Sequence, residues 1–374
     1  MENGLPLKVL LVAEGSGGHL IPALQVASAL AGTGARIKVW YAQRRQTERL
    51  AGALARETAG TAVEVAPIPI ESSANLLRRL WRCGQLWHQA QRCFDTFSPD
   101  VVVGFGGWVS APVVLAARTR RIGCLLHEQN VVMGRANRLL ARWVDRVAVS
   151  FDETHKRLDR MPPVVTTGLP VRQRIGNSSR SEAAAQLGFT PERPTLLVLG
   201  GSQGSQAINR LMIRAAGLLS PEERRAWQIA HLVGSSDEAA VRQAYDAHKV
   251  TSWVSSFLVE METAYASADV VIGRAGASTI AELARCGTPA ILIPYPHAGG
   301  HQRANAQLVE AIGGGLMLEE SEASPERLLG AARRILSDER LRTLMGARMR
   351  ELNQPDAAAR LTDAIVEVAR ARAA

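Results

Sequence analysis

Short runs of apolar and β-branched residues recur along this chain, separated by longer stretches in which apolar residues return every three or four positions. In the first half the short runs lie at 8–13, 37–41, 63–68, 101–104, 123–127 and 146–150, and helical patterns lie at 22–31, 76–93 and 136–141. A continuous apolar run, rather than strict alternation, marks a strand covered on both faces, and strands alternating with helices give a parallel sheet. The pattern lapses at 165–175, around Thr166-Thr167-Gly168-Leu169-Pro170, which reads as a linker. It then restarts with strands at 195–199, 228–233, 270–272 and 290–293 and helices at 208–218, 239–248 and 279–285. A last helical run, 357–371, turns basic at its end. The expectation is an α/β protein with two Rossmann-like, doubly wound parallel-sheet domains.

A chain of 374 residues is long enough for two domains, and with 47% apolar residues both can bury a core. No apolar run approaches the roughly 18 residues of a membrane span. The start, MENGLPLK, lacks the charged-then-apolar layout of a secretory signal, so a cytoplasmic protein is expected. Cys83, Cys93, Cys124 and Cys286 are scattered without metal-ligand spacing and read as reduced thiols. The net charge of +9 suits nucleic acid, an anionic membrane surface or phosphorylated substrates. Nucleic acid is the weakest of the three, because no helix-turn-helix, zinc finger or RNA-binding aromatic pattern accompanies the charge.

Two strands run straight into glycine turns. GSGGH at 15–19 follows the first strand, and GGSQGS at 200–205 follows the strand at 195–199. A glycine turn between strand and helix aims backbone N–H groups outward, and the helix dipole adds partial positive charge there, so a phosphate fits. Neither turn is a dinucleotide fingerprint or a Walker loop: Leu20 stands where G-x-G-x-x-G needs a small residue, and no Gly-Lys-Ser/Thr follows. Glycine at such a turn also has a purely structural use. His19, at the mouth of the sheet's carboxyl edge, is either a proton acceptor near neutral pH or a residue that caps the turn.

A third helix start contains Gly276 to Glu282. One reading is a capping box with Thr279 at the N-cap and Glu282 reaching back. The other has Glu282 holding the vicinal hydroxyls of a ribose beside amides that meet phosphate. His127, Glu128, Gln129 and Asn130 end a strand and form either a sugar-binding set or a solvated loop. His297 and His301 lack a third ligand at suitable spacing, so they make a poor metal pair. Gln302 and Asn305 fall on neighbouring positions of the next helix.

Taken in order, GSGGH at 15–19, VVVGFGGWVSAP at 101–112, HEQN at 127–130 with Gly134 and Asn137, GLPVR at 168–172, GGSQGS at 200–205, RAGASTIAEL at 274–283 and HQRANA at 301–306 cover most of the chain. This series resembles the bacterial family-28 glycosyltransferases that complete the lipid-linked peptidoglycan precursor. The resemblance implies the GT-B fold, with two such domains facing an interdomain cleft. It implies an acceptor-binding, membrane-facing domain at 1–168, rejoined by the last helix at 352–374, and a donor-binding domain at 169–351. The implied reaction is an inverting transfer of N-acetylglucosamine from UDP-GlcNAc to the 4-hydroxyl of the muramyl sugar of lipid I, undecaprenyl-pyrophosphoryl-MurNAc-pentapeptide, giving lipid II. Implied donor contacts are Ser16, Gly17, Gly18, Asn130, Arg172, Ser202, Leu258, Ala277, Ser278, Thr279, Ile280, Ala281, Glu282 and Gln302.

His19 is the first candidate for the general base and Glu128 the second. Helix ends and loop amides can hold a departing diphosphate, so no cofactor and no catalytic metal are expected. The implied place is the cytoplasmic face of the cell membrane, as a peripheral protein, with a cell-wall synthesis complex as partner and roles in cell shape and division. Leu76, Leu80 and Trp87 share a face at helical spacing amid arginines, which suits either an anionic bilayer surface or packing on the chain's own sheet. Ser16 replaces a frequent threonine, Leu169 a frequent asparagine or threonine, and Gly299-Gly300 more polar residues. The rival readings are another GT-B transferase using a UDP-sugar and a different lipid acceptor, such as a diacylglycerol, a non-catalytic nucleotide-sugar-binding protein, and a nucleic-acid binder.

Overall fold

The computed structural model describes residues 6–43, 62–69, 76–156, 162–201, 204–235, 237–297 and 299–373. The chain divides into two compact units, Met1–Val171 with Gln354–Ala374, and Arg172–Asn353. Leu169 to Val171, placed with the second half from sequence, therefore stay with the first unit. The reason is local: Leu169 is buried, and the backbone at Gly168 lies against the Gln354 and Ala357 side chains of the returning chain.

The first unit carries seven strands: β1 (Lys8–Ala13), β2 (Arg36–Gln43), β3 (Val63–Pro69), β4 (Val101–Gly104), β5 (Gly123–Glu128), β6 (Arg146–Val149) and β7 (Val164–Thr166). Every pairing is parallel, in the order β3-β2-β1-β4-β5-β6-β7. The second unit carries β8 (Thr195–Leu199), β9 (Gln228–Leu232), β10 (Thr251–Ser255), β11 (Val270–Gly273), β12 (Ala290–Leu292) and β13 (Gly315–Met317). These are also parallel, in the order β10-β9-β8-β11-β12-β13. In each sheet the order reverses beside its first strand, between β1 and β4 and between β8 and β11. Open α/β sheets bind ligands outside the carboxyl ends of the strands at that reversal, because the flanking loops part there.

The elements follow from their sequences. Val9 to Ala13, Val101 to Val103 and Leu196 to Leu199 are buried, as strands between helical layers must be. The last helix, Ala357–Ala373, buries Leu361, Ala364, Ile365 and Val368, an i, i+3, i+4, i+7 stripe, within the first unit. Burying Leu361, Ile365 and Val368 contributes about 1.5–3 kcal/mol each. Ion pairs from Arg372 to Asp145 and from Arg146 to Glu367 fix the same helix at its polar edge.

Three expectations are corrected. The first helix, expected from residue 22, runs from Gly17 to Ala31, with Pro22 inside it. The start of the expected linker, Val165 and Thr166, belongs to a strand of the first sheet, Val164–Thr166, paired with β6. The Leu76, Leu80 and Trp87 stripe does not act as one face. Helix Leu76–Phe97 buries Leu86, Ala90, Cys93, Phe94 and Phe97, with Trp87 packed beside them, whereas Leu80 is 59% exposed. The core covers only the later turns of this helix, so its earlier turns project Leu80 and Trp81 outward; the Leu76 side chain lies outside the description.

Candidate active site

At the reversal point of the first sheet, β1 ends in the turn that starts helix Gly17–Ala31. Ser16 is the N-cap, but its hydroxyl makes no capping bond and instead meets His19 Nδ1 at 2.6 Å. His19 lies on the loop that follows β4, where Gly106 has φ +87°. A Cβ at Gly106 would stand 3.3 Å from His19 Nε2, on a backbone that residues with side chains rarely adopt, so glycine lets the imidazole lie against this loop without strain. Ser110 locks this loop by donating to the Gly106 carbonyl at 2.7 Å.

The HEQN segment is not a solvated loop. His127 and Glu128 belong to β5, and His127, Glu128 and Gln129 are buried. The Gly168 carbonyl accepts from His127 Nε2 at 3.1 Å, which puts the ring proton there and leaves Nδ1 to accept from the Gln129 amide at 3.1 Å. Burial pushes the His127 imidazole down to about 4, against the pull of the Gly168 bond, so the ring is neutral at physiological pH.

Glu128 accepts four hydrogen bonds. Oε1 takes the backbone N–H of Asn130 at 3.0 Å and its Nδ2 at 3.1 Å. Oε2 takes the Gly134 N–H at 2.9 Å and Asn137 Nδ2 at 2.8 Å. A carboxylate whose lone pairs are all directed at fixed donors organises the loop around it, and a hydroxyl proton would have to displace one of those donors. Asn130 is thereby held by its neighbour, and its carbonyl accepts from the Thr154 hydroxyl at 3.1 Å.

In the second unit, β8 runs into the turn at 200–205. Ser202 lies outside the described residues, but the frame around it is clear. Gly204 has φ +75°, and a side chain there would collide with the Val233 carbonyl. Ser205 caps helix Gln206–Gly217, accepting from the Ile208 N–H at 3.4 Å. The same hydroxyl accepts from Arg274 at 2.8 Å. Arg274, just past β11, is buried; it also donates to the Ile293 and Pro294 carbonyls, pairs with Glu320 at 2.5 Å and lies over the Tyr295 ring. One guanidinium thus joins the ends of β8, β11 and β12. Arg274 was not singled out from sequence, although a charged residue directly after a buried apolar strand was the available signal.

Helix Ala277–Cys286 begins after Gly276, which is its N-cap and makes no side-chain bond. This overturns the capping box: Thr279 is already inside the first turn, and Glu282 lies too far along to reach the N-cap. Glu282 is buried instead and accepts from the Tyr265 hydroxyl at 2.7 Å. Burial raises its carboxyl, while the charge of Arg172 and the Tyr265 hydroxyl draw it back. Arg172 donates to the Val259 carbonyl at 2.7 Å and so fixes the segment holding half-buried Leu258.

The remaining positions separate by exposure. Gly17, Gly18, Ser278, Thr279 and Ala281 are half-buried and Ala277 is buried. The N–H groups of a first helical turn have no intrahelical acceptor, so the start of this helix suits an anion. Ile280 does not share that property, since its N–H bonds the Gly276 carbonyl at 3.0 Å and its side chain is wholly buried. Gln302 accepts from the Tyr295 N–H at 2.9 Å, and buried Asn305 donates to the Ala275 carbonyl at 3.1 Å.

Comparison with known proteins agrees with this geometry. Residues 9–149 match the glycosyltransferase family 28 N-terminal domain and residues 195–361 its C-terminal domain. A relative from Halothermothrix orenii is 36% identical over 373 residues, covering 97% of this chain and all of its own. One from Mesorhizobium japonicum is 38% identical over 358 residues, covering 95% of this chain and 93% of its own. Both are named UDP-N-acetylglucosamine--N-acetylmuramyl-(pentapeptide) pyrophosphoryl-undecaprenol N-acetylglucosamine transferase. The crystal structure of Acinetobacter baumannii MurG is similar with a TM-score of 0.74 and 28% identity, over 97% of this chain and all of that one. With two parallel-sheet domains, family matches in both and relatives along nearly its whole length, the chain belongs to glycosyltransferase family 28 and has the GT-B fold.

Proposed function

We propose that this protein transfers N-acetylglucosamine from UDP-GlcNAc to the 4-hydroxyl of the muramyl sugar in undecaprenyl-pyrophosphoryl-MurNAc-pentapeptide, releasing UDP. The second unit takes the donor and the first the acceptor. The observation that carries this reading is the second unit's site: a strand–glycine-turn–helix at the sheet reversal, beside a buried carboxylate, in a chain whose relatives are named for this transfer.

The donor's diphosphate sits on the turn at 200–205 and on the first turn of helix Ala277–Cys286, where N–H groups and two helix dipoles stabilise the charge that develops as UDP departs. The Arg274 guanidinium, bonded to Ser205 and paired with Glu320, braces the helix end of that turn. Glu282 holds the ribose hydroxyls, Leu258 offers backbone to the uracil, and Gln302 meets the sugar. Ser202 completes the diphosphate contacts in this reading.

His19 takes the proton from the attacking hydroxyl. When its Nδ1–H donates to Ser16, Nε2 is the basic nitrogen, and such help is worth about 10²–10⁴ in rate. Glu128 serves as a positioning residue for Asn130 and Asn137 rather than as the base.

The first unit works on a lipid-borne acceptor without a spanning helix: among the described residues, no helix is long and apolar enough to cross a membrane. Exposed Leu80 and Trp81 on helix Leu76–Phe97, and exposed Leu139 and Trp143 near helix Arg135–Leu140, provide an interfacial surface. Both helices pack on helix Ser110–Thr119, and exposed Arg78, Arg135, Arg138 and Arg142 accompany the apolar side chains. Arginine with tryptophan suits an anionic bilayer surface, which supports a peripheral position on the membrane face where the lipid-borne acceptor is met; in this reading that is the cytoplasmic face.

Incubation with UDP-GlcNAc and a lipid I analogue tests the reading. Equimolar UDP and a product heavier by one N-acetylglucosamine are expected, with or without a chelator. UDP release with a diacylglycerol acceptor, and none with the lipid I analogue, overturns it.

A further inference from the structure

Behind the 200–205 turn the apolar core of the second unit contains a chain of polar side chains. Tyr245, on helix Glu238–Ala247, is fully buried, and its hydroxyl meets Nδ1 of buried His231 on β9 at 2.9 Å. The other ring nitrogen, Nε2, meets Asn209 Oδ1 at 3.1 Å. Because Oδ1 only accepts, Nε2 carries the ring proton, and Nδ1 accepts from Tyr245. Burial pushes the His231 imidazole down to about 3, so the ring is neutral. Asn209 then spends its amide group outward, donating to the Val233 carbonyl at 3.0 Å and to Asp237 at 3.2 Å.

The far end of this chain is the segment that supports the turn. The Val233 carbonyl and Gly234 are the groups that a side chain at Gly204 would strike. Asp237 holds a left-handed backbone, φ +75°, which disfavours a residue with a side chain. An apolar residue at 209 would serve core packing alone, because buried polar groups cost stability unless fully bonded. The three polar residues sit amid Ile208, Met212, Ile229, Val233 and Val241 of the surrounding core.

We propose that Asn209 is a positioning residue for the donor diphosphate: oriented by His231 and Tyr245, it holds the Val233–Gly234 backbone against Gly204 and so fixes the backbone of Gly204 and Ser205 at the helix end of the phosphate-binding turn. Asn209 itself touches no substrate. The proposal rests on the donor reading of the second unit.

The test uses the full-length protein with UDP in calorimetry and UDP-GlcNAc in steady-state kinetics. Asn209→Asp keeps the shape but cannot donate from Oδ2; Asn209→Leu removes the polar group; Tyr245→Phe deletes only the hydroxyl at the far end. The expected result is a donor KM and a UDP Kd raised about tenfold in either Asn209 variant and two- to threefold in Tyr245→Phe. Both kcat and the acceptor KM stay within twofold. A purely structural role lowers Tm and the active fraction but leaves the donor KM of the folded enzyme unchanged, and that result overturns the proposal. Should both Asn209 variants fail to fold, Tyr245→Phe decides alone, an unchanged donor KM overturning it. If the wild-type protein binds no UDP, the donor reading itself fails, and this outcome is distinct from wild-type binding that the variants leave intact.

Discussion

Replacing Glu128 with glutamine separates two roles for this residue. The carboxylate accepts four bonds, from two donors of Asn130, the Gly134 N–H and Asn137. A glutamine side chain keeps one oxygen and can still satisfy one pair. Its NH₂ then faces the other pair, donor against donor. Buried donors left without acceptors cost about 1–3 kcal/mol each, and here Asn130 and Gly134 are half-buried and Asn137 buried, so a loss near 3 kcal/mol is expected for the pair. Glu128 is only 1% exposed while Asn130 and Gly134 are half-buried, so water repairs the mismatch only in part. For a unit of this size that loss lowers Tm by roughly 6–12 °C. Urea unfolding monitored alongside steady-state kinetics is the assay. The account predicts marked destabilisation, with activity in the remaining folded protein reduced through loosening of the Asn130 loop. Unchanged stability with turnover down about 10³-fold refutes the reasoning, because that is the signature of a lost general base.

Three further outcomes follow from the geometry. Gly106→Ala places a methyl 3.3 Å from His19 Nε2 at φ +87°, so kcat should fall at least tenfold with UDP affinity unchanged; a normal kcat removes His19 from the proton-accepting role. Glu282's carboxyl is raised in the folded state by burial, so the folded form retains its proton longer than the unfolded chain; this contribution to stability is present below the unfolded value and is lost as pH rises through the folded one. Tyr265→Phe removes a bond that favours the ionised form, so the acid limb of UDP binding should move to higher pH, whereas an unmoved limb means that the ribose does not need the carboxylate. Trp81→Glu with Trp143→Glu should abolish sedimentation with anionic vesicles at low salt while leaving UDP binding intact; undiminished sedimentation rules out this surface.

The central strands were legible because both faces are covered, so β1, β4, β8 and β11 are continuous apolar runs after Lys8 and Thr195 at the starts of β1 and β8. The strands that escaped sequence reading, β7, β10 and β13, all lie at sheet edges. An edge strand is covered less fully, and the half-buried pattern of Thr251–Ser255 carries little apolar signal. The glycine turns were visible for a related reason: a strand ending in glycines and entering a helix leaves few backbone solutions. The contacts of charged side chains after the strands were not visible. Nothing in the spacing of Glu128 announces four donors converging on it, since two arrive from the loop and helix start at Gly134 and Asn137. Of the two readings of Glu282, the helix cap fails because it rests on a sequence spacing that places Thr279 at the helix start. The helix begins two residues earlier, at Ala277, which turns Glu282 inward to Tyr265. Arg274, Asn209 and Tyr265 went unremarked because their partners are distant in sequence.

A crystal structure of this protein with UDP tests the central claim most directly. The account predicts the diphosphate on the turn at 200–205 and the first turn of helix Ala277–Cys286, with both ribose hydroxyls on Glu282. A diphosphate bound elsewhere, with Glu282 still paired only to Tyr265, contradicts it.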